Sequence, residues 1–233
     1  MYRRCENSNT ETPGTVKAET MPNHPDSGPG RSTREEWLRA AVDLIVAGGV
    51  DRVKVQVIAR QLGVSRSSFY WFFKSRQDLL DQLLAHWQAT NTAAILERAG
   101  READTPCRSV LNVFECWVKE TLFDPRLDIA VRDWARKSEK ARQAVDAGDE
   151  ERMRALTAMF RRHGYAEDEA FIRARVLYYM QIGYYSLDIQ EPMETRMAYI
   201  ANYLRVFTGL EPTDAEIADF QAFLRDGSRS GAQ

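Results

Sequence analysis

From Ser32 onward this 233-residue chain repeats apolar residues at intervals of three and four. Nowhere does it alternate apolar and polar long enough to make a strand. That periodicity confines the fold to helix packed on helix, and it disfavours a mixed α/β enzyme before any motif is considered. Ser32 or Thr33 caps the first helix, which carries Trp37, Leu38, Ala41, Leu44 and Ile45 and stops at Gly48-Gly49. Short helices are expected over about 55–62 and 66–72, parted at Gly63, with Ser65 capping the second. Ser75-Arg76-Gln77-Asp78 has capping-box spacing and opens a long helix through Leu79, Leu80, Leu83, Leu84 and Trp87. Beyond Gly100, helices are expected at 106–122, 126–136, 138–163, 167–188, 193–209 and 213–226. Pro125, Gly164, Pro192 and Pro212 punctuate them, and Thr213–Glu216 forms a second capping box. The reading is all-α, with nine or ten helices.

Composition narrows the class further. Apolar residues make up 44% and charged ones 28%, an ordinary soluble balance. Residues 31–90 hold nine Lys/Arg against six Asp/Glu, a balance of +3, which leaves −5 for the rest of a chain whose total is −2. A mildly basic front suits a surface that meets an anion. Residues 1–30, with Pro13, Pro22, Pro25 and Pro29 and little to bury, are expected to be a disordered leader, and 228–233 a flexible tail. Cys5, Cys107 and Cys116 lack zinc-like spacing, and their odd number argues against a closed disulfide framework. No apolar run approaches the roughly 20 residues that span a bilayer, and no signal-peptide core follows Met1. The expected location is cytoplasmic, with no membrane partner.

Chemistry concentrates between Val53 and Phe73. Leu62-Gly63-Val64-Ser65 joins two short helices by a tight turn, with glycine where a side chain would crowd the backbone. Ile58, Ala59 and Leu62 face inward, and Val64 and Phe69 close the same core. Arg66, Ser67, Ser68, Tyr70 and Trp71 are left around the second helix. A helix of this kind can enter the major groove of duplex DNA with its first turn at the base edges. Arg66 matches the two acceptors of guanine with its planar donor fork, and a phosphate contact suits it nearly as well. The hydroxyls of Ser65, Ser67 and Ser68 suit bases or phosphates, Tyr70 a phosphate, and Trp71 a sugar or thymine methyl. Lys54, Lys74 and Arg76 flank the turn where the phosphate backbone would pass. The same residues also satisfy a plain helical hairpin with Tyr70 and Trp71 in its core.

Catalytic chemistry finds no footing. His24, His86 and His163 are dispersed, and Asp124, Asp128 and Asp133 lack a His-rich partner motif. No His-Glu-x-x-His, nucleophile elbow or phosphate loop occurs, so no enzyme, metal site or cofactor is expected. His163, before Gly164, reads as a helix C-terminal residue facing the dipole.

Taken together, Ala40-Ala41, Gly49, Ile58-Ala59, Gly63-Val64-Ser65, Tyr70-Trp71-Phe72-Phe73, Lys74-Ser75-Arg76 and Leu79-Leu80 resemble the N-terminal signature of the TetR family of bacterial regulators. The resemblance covers about residues 33–84. Two positions depart from it: Lys54 replaces the usual threonine, and Phe72 an often-seen histidine that touches phosphate. The resemblance implies a three-helix helix-turn-helix domain over 31–76, followed by an antiparallel helical ligand-binding and dimerisation domain over 77–227. It further implies a homodimer on palindromic double-stranded DNA, acting as a repressor, and a small-molecule effector that lowers operator affinity.

For the dimer interface the last two long helices offer Ala170, Ala174, Leu177, Tyr178, Gln181, Tyr185, Met197, Ile200, Tyr203, Leu204 and Phe207. Periodicity does not settle which face meets the partner. For a ligand pocket the candidates are Phe114, Trp117, Val118, Trp134, Phe160, Tyr179, Met180 and Tyr184, each of which reads equally well as packed core. Arg132, Asp133, His163 and Gln181 are its polar candidates, and the ligand would be apolar or aromatic. Two alternatives stay open: a transcriptional activator with the same DNA-binding mode, and a non-enzymatic all-helical protein-interaction module.

Overall fold

The computed structural model describes residues 32–230, with side chains through Arg225. The expected leader at 1–30, and the tail from residue 231, lie outside the described residues. Twelve α-helical segments follow in order: α1 (Arg34–Gly48), α2 (Val55–Gln61), α3 (Arg66–Phe69), α4 (Arg76–Trp87), α5 (Ala93–Gly100), α6 (Pro106–Val118), α7 (Pro125–Ala135), α8 (Glu139–Arg162), α9 (Glu167–Ser186), α10 (Met193–Ala198), α11 (Ile200–Thr208) and α12 (Asp214–Ser230). No strand occurs among the described residues. The fold is all-α, as the periodicity requires. Helix α12 runs through Ser230 and so enters the segment expected as a tail.

Two breaks raise the number of segments above ten. A π turn over Gln88–Thr92 separates α4 from α5. There the Thr90 hydroxyl donates back to the His86 carbonyl (2.9 Å), and the Asn91 amide pairs with both backbone groups of Asp124 (2.8 and 3.1 Å). Polar side chains competing for backbone partners disturb the regular ladder in this way. The other break is a turn at Tyr199, within the stretch expected as one helix at 193–209. Of the two expected capping boxes only the second closes, Thr213 and Glu216 bonding reciprocally; Ser75 accepts from the Asp78 N–H, but the Asp78 carboxylate turns to the Lys74 N–H (2.7 Å). Thr33, not Ser32, caps α1; the Ser32 hydroxyl accepts from the Trp37 indole (2.8 Å).

The interior divides into two hydrophobic clusters. The first gathers Trp37, Ile45, Val53, Ile58, Phe69, Phe73, Leu79, Leu83 and Trp87 from α1–α4, and adds Leu127, Val131, Trp134, Ala141 and Val145 from α7 and α8. Its fully buried aromatics, Trp37, Phe69, Phe73 and Trp87, each stabilise the fold by about 1.5–3 kcal/mol. The second runs from Ile95 through α6, the far end of α8, α9, α11 and Phe220 of α12. The head therefore packs on α7 and the start of α8 as well as on its own helices.

Between the clusters lies a buried ionic knot. Asp128 accepts from the Trp87 indole (2.8 Å), Arg152 (3.0 Å) and Arg132 (2.8 Å). Arg132 also grips Asp149 with both terminal nitrogens (2.8 and 2.6 Å), while the Tyr178 hydroxyl donates to Asp149 (2.7 Å) and accepts from both arginines. Arg152 lies over the rings of Trp87 (4.8 Å) and Phe123 (5.7 Å), one from each cluster.

Candidate nucleic-acid interface

The turn that presents α3 follows from its sequence. Gly63, at φ +68°, closes α2 with the paired bonds of a Schellman motif, Val64 N–H to Ala59 carbonyl (2.9 Å) and Gly63 N–H to Arg60 carbonyl (3.2 Å). A residue with a Cβ would be strained at that φ. Phe69 then anchors α3 from beneath, edge-on to Trp37 and stacked on Phe73, each at 5.2 Å. Only four residues are regular helix, where 66–72 was expected. Trp71, Phe72 and Phe73 continue as tighter turns whose N–H groups bond to Ser68 and Phe69 carbonyls.

With Phe69 fixed inward, its neighbours face out. Tyr70 is 60% and Trp71 70% exposed, among the most exposed large aromatics of the described residues. Arg66 and Ser67 are exposed beside them. Among the described residues no carboxylate lies within salt-bridge distance of the Arg66 guanidinium, and no hydrogen bond occupies it. The hairpin reading with Tyr70 and Trp71 in the core is excluded by their exposure. Lys54 sits at the N-cap of α2 with its side chain in solvent, and Lys74 projects beyond the turn.

Three expected contact residues are placed differently. Ser68 is 8% exposed and donates its hydroxyl to the Ser65 carbonyl (2.6 Å), so it holds the turn instead of facing a base. The Ser65 hydroxyl makes no cap bond and shares a hydrogen with the Ser67 hydroxyl (2.7 Å). Arg76 reaches back to the chain before α2, donating from Nε to the Val53 carbonyl (2.6 Å) and from Nη2 to the Val50 carbonyl (2.7 Å). It is exposed yet already engaged, and it fixes Lys54 relative to α4. Phe72 is half-buried against the first cluster.

The expected pocket residues divide into those that share one cavity and those that do not. Phe114, Trp117, Val118, Met180 and Tyr184 do come together, joined by Gln181, around one cavity. Trp134 instead belongs to the first cluster, Phe160 packs edge-on to Tyr165 (5.7 Å) in the second, and Tyr179 is 47% exposed on the outside of α9. Asp133 lines the cleft beside the cavity, Arg132 belongs to the ionic knot, and His163 meets Ser109 (2.8 Å).

The expected interface residues Ala170, Ala174, Leu177, Tyr178, Gln181, Ile200, Leu204 and Phe207 are all buried in the chain's own interior, and Tyr185 and Tyr203 pack half-buried against it. A rotation of 100° per residue explains the inversion. Positions 170, 174, 177, 178 and 181 form the inward stripe, which leaves Phe171, Ile172, Val176 and Tyr179 outward, with Val206 beside Ile172 and Val176. The ionic knot escaped sequence reasoning altogether. Its Asp128/Arg132 and Asp149/Arg152 spacings look like ordinary solvated helix pairs.

Comparison with known proteins bears on this head first. Residues 38–83 match the family model described as bacterial regulatory proteins, tetR family. Over 62 residues the chain is 37% identical to the tetracycline repressor protein class A from transposon 1721 of Escherichia coli, covering 27% of this chain and 29% of that one. Over 58 residues it is 36% identical to the HTH-type regulator TtgW of Pseudomonas putida, 25% of this chain and 43% of that one. The likeness thus spans less than half the length of these relatives.

Solved structures extend the likeness of fold alone. AmtR of Mycobacterium smegmatis aligns with TM-score 0.57 at 21% identity, over 88% of this chain and 98% of that one. A transcriptional regulator from Rhodococcus sp. Rha1 aligns with TM-score 0.54 at 18% identity, over 81% and 96%. The helix-turn-helix head and the all-helical body behind it share the fold of these structures. The head, over residues 38–83, is thus similar to the tetR family of bacterial regulatory proteins, and for the rest of the chain the likeness is one of fold.

Proposed function

We propose that the protein is a sequence-specific, double-stranded-DNA-binding transcriptional regulator of the cytoplasm, acting as a homodimeric repressor on a palindromic operator. One observation carries the reading: the outer edge of α3 presents Arg66, Ser67, Tyr70 and Trp71 to solvent with the arginine fork unpartnered, while Phe69 holds that edge in place. A free guanidinium between small and aromatic side chains suits a major groove, and Lys54 and Lys74 on either side suit its phosphate ridges. Selecting bound fragments from random duplex DNA tests it. The expected result is an enriched palindrome with half-sites about one helical turn apart. Binding without sequence enrichment, or with no dependence on salt, would instead favour a protein-interaction module.

Dimerisation is supported by the outward stripe of α9, Phe171, Ile172, Val176 and Tyr179, and by Val206, 68% exposed on α11. Ile172, Val176 and Val206 share a groove. Several large apolar side chains left to water on two adjoining helices suit a self-complementary two-fold interface. Val206→Asp should convert the sedimenting dimer to monomer and lower operator affinity. We further propose that a small apolar ligand in the body lowers DNA affinity by shifting the population of head orientations.

A further inference from the structure

The cavity among Phe114, Trp117, Met180, Met193, Met197 and Ile200 holds only about 40 Å³ of free space. That admits a few waters, whereas small-molecule pockets run to roughly 300–1,000 Å³. It is not sealed, however. Trp117, Tyr184, Glu191 and Arg196 line both this cavity and a cleft of about 1,170 Å³, which also takes in the Ile45–Gly49 end of α1. Three of the cavity walls are methionines, unbranched side chains that move among rotamers more readily than any other apolar type.

Two polar groups at this place lack a partner. Gln181 is 4% exposed, and its Nε2 donates to nothing. The Tyr185 oxygen lies near this amide, but no hydrogen bond joins the two; the Tyr185 hydroxyl, whose pKa burial pushes up, donates to the Trp117 carbonyl (3.2 Å). A buried N–H left so is costly, and it calls for an acceptor. The second group is Arg196, where the cavity meets the cleft. Its guanidinium lies over the Tyr184 ring (5.2 Å), and among the described residues no carboxylate is within salt-bridge distance. Glu191, at the same junction, accepts from the Tyr184 hydroxyl (3.0 Å).

We propose that this cavity binds an apolar monocarboxylate carrying a further oxygen acceptor on its chain. The chain displaces the Met180, Met193 and Met197 side chains, the carboxylate meets Arg196 at the mouth, and the chain oxygen accepts from Gln181 Nε2. The carboxylate end then faces the cleft whose walls include the Ile45–Gly49 end of α1. The assignment deepens the effector-responsive reading above and rests on it.

The test is calorimetric titration of the full-length protein with hexanoate, octanoate, decanoate and dodecanoate, their methyl esters, the matching alkylamines and the mono-oxo acids. The acids should bind about tenfold or more tighter than esters or amines, and Arg196→Gln should abolish that preference while leaving ester affinity unchanged. Arg196→Lys should restore part of it. At least one oxo isomer should bind tighter than its parent acid, and Gln181→Leu should remove that advantage. Esters or amines binding as well as acids, or an Arg196→Gln protein that keeps the preference, would overturn the assignment; so would an oxo series no tighter than the parents.

Operator binding by the same preparations reads the regulator assignment separately. Acid selectivity with unaltered DNA affinity would sustain the site and remove the effector part of the proposed function. Lost selectivity with intact DNA binding would remove the site alone.

Discussion

At the seam between the two cores the Arg152 guanidinium is fully buried and committed to its own chain, to Asp128, Tyr178 and Thr92 and to the rings of Trp87 and Phe123. On the outer edge of α3 the Arg66 guanidinium faces solvent, with no described carboxylate beside it. The two side chains are chemically identical, and desolvation sets them apart. A buried charge must be matched within the fold, and the match locks α4, α7, α8 and α9 together. An exposed donor fork held on a rigid turn keeps its hydrogen bonds for an anion from outside. Arg76 stands between these cases, exposed but already bonded to two carbonyls. Exposure alone is therefore a poor guide to availability, and the bonds already made decide it.

The largest expected effect is at the seam. Asp128→Ala leaves two buried arginines short of their shared anion and should destabilise the protein by about 3–5 kcal/mol in urea unfolding. A loss under about 1 kcal/mol would mean that water or Asp149 replaces it readily, and the contrast with Arg66 would collapse. The acid limb of stability sharpens the point. Burial pushes the Asp128 carboxyl up, but Arg152, Arg132 and the Trp87 N–H outweigh it, so its pKa in the fold lies below the ordinary 3.8. A carboxyl so lowered binds fewer protons folded than unfolded. Its contribution is therefore complete above the ordinary carboxylate range and is lost as pH falls through the folded value. Asp128→Asn should flatten that acid decline while leaving the pH dependence near neutrality unchanged.

The complementary change is Arg66→Ala. Folding stability should move by no more than about 0.5 kcal/mol, as at exposed positions without partners, whereas specific DNA affinity should fall by about 1–3 kcal/mol with relaxed preference at one base position. An unchanged preference profile would reassign Arg66 to phosphate. Arg76→Met should do the reverse. Losing its bonds to the Val53 and Val50 carbonyls should cost about 1–2 kcal/mol of stability, less than a buried charged pair because water reaches the freed carbonyls. The sequence preference of the variant should be intact. A changed preference with normal stability would return Arg76 to the phosphate-contact role that its position in the sequence suggests.

How much of this was legible in the sequence depends on the range of the interactions involved. The helix-turn-helix is built from neighbours: Gly63 at the turn, Phe69 beneath it and two capping residues, all within a few tens of positions. Its exposed face follows by subtraction. The body is different. Its inward and outward stripes on α9 are both apolar, so Ala170, Ala174 and Leu177 read as well for a partner surface as Ile172, Val176 and Tyr179, and only tertiary contacts separate them. Trp134 was misplaced for a related reason, since α7 packs on the head, which no local period reveals. The ionic knot joins residues 41 and 46 positions apart, Trp87 to Asp128 and Arg132 to Tyr178. Ser68 shows the same limit over three residues. A serine on a recognition helix suits DNA until its hydroxyl is found on the Ser65 carbonyl.

Lys54 gives the smallest and most diagnostic contrast with Arg66. It sits at the start of α2, exposed, on a segment that Arg76 ties to α4, and not on α3 itself. A point charge on a flexible stem suits a phosphate and carries no base information. Lys54→Ala should accordingly weaken every duplex by a similar few-fold factor, preferred or not, and should leave the enriched sequence unchanged. Each phosphate neutralised contributes about 0.9 to the slope of log affinity against log salt, so the variant's slope should be shallower by about that amount per subunit. Measuring that slope on a preferred and a scrambled duplex separates the possibilities. An equal loss on both marks a backbone brace, and a loss confined to the preferred duplex would make Lys54 a reader of sequence, carrying the recognition surface from α3 onto the first turn of α2.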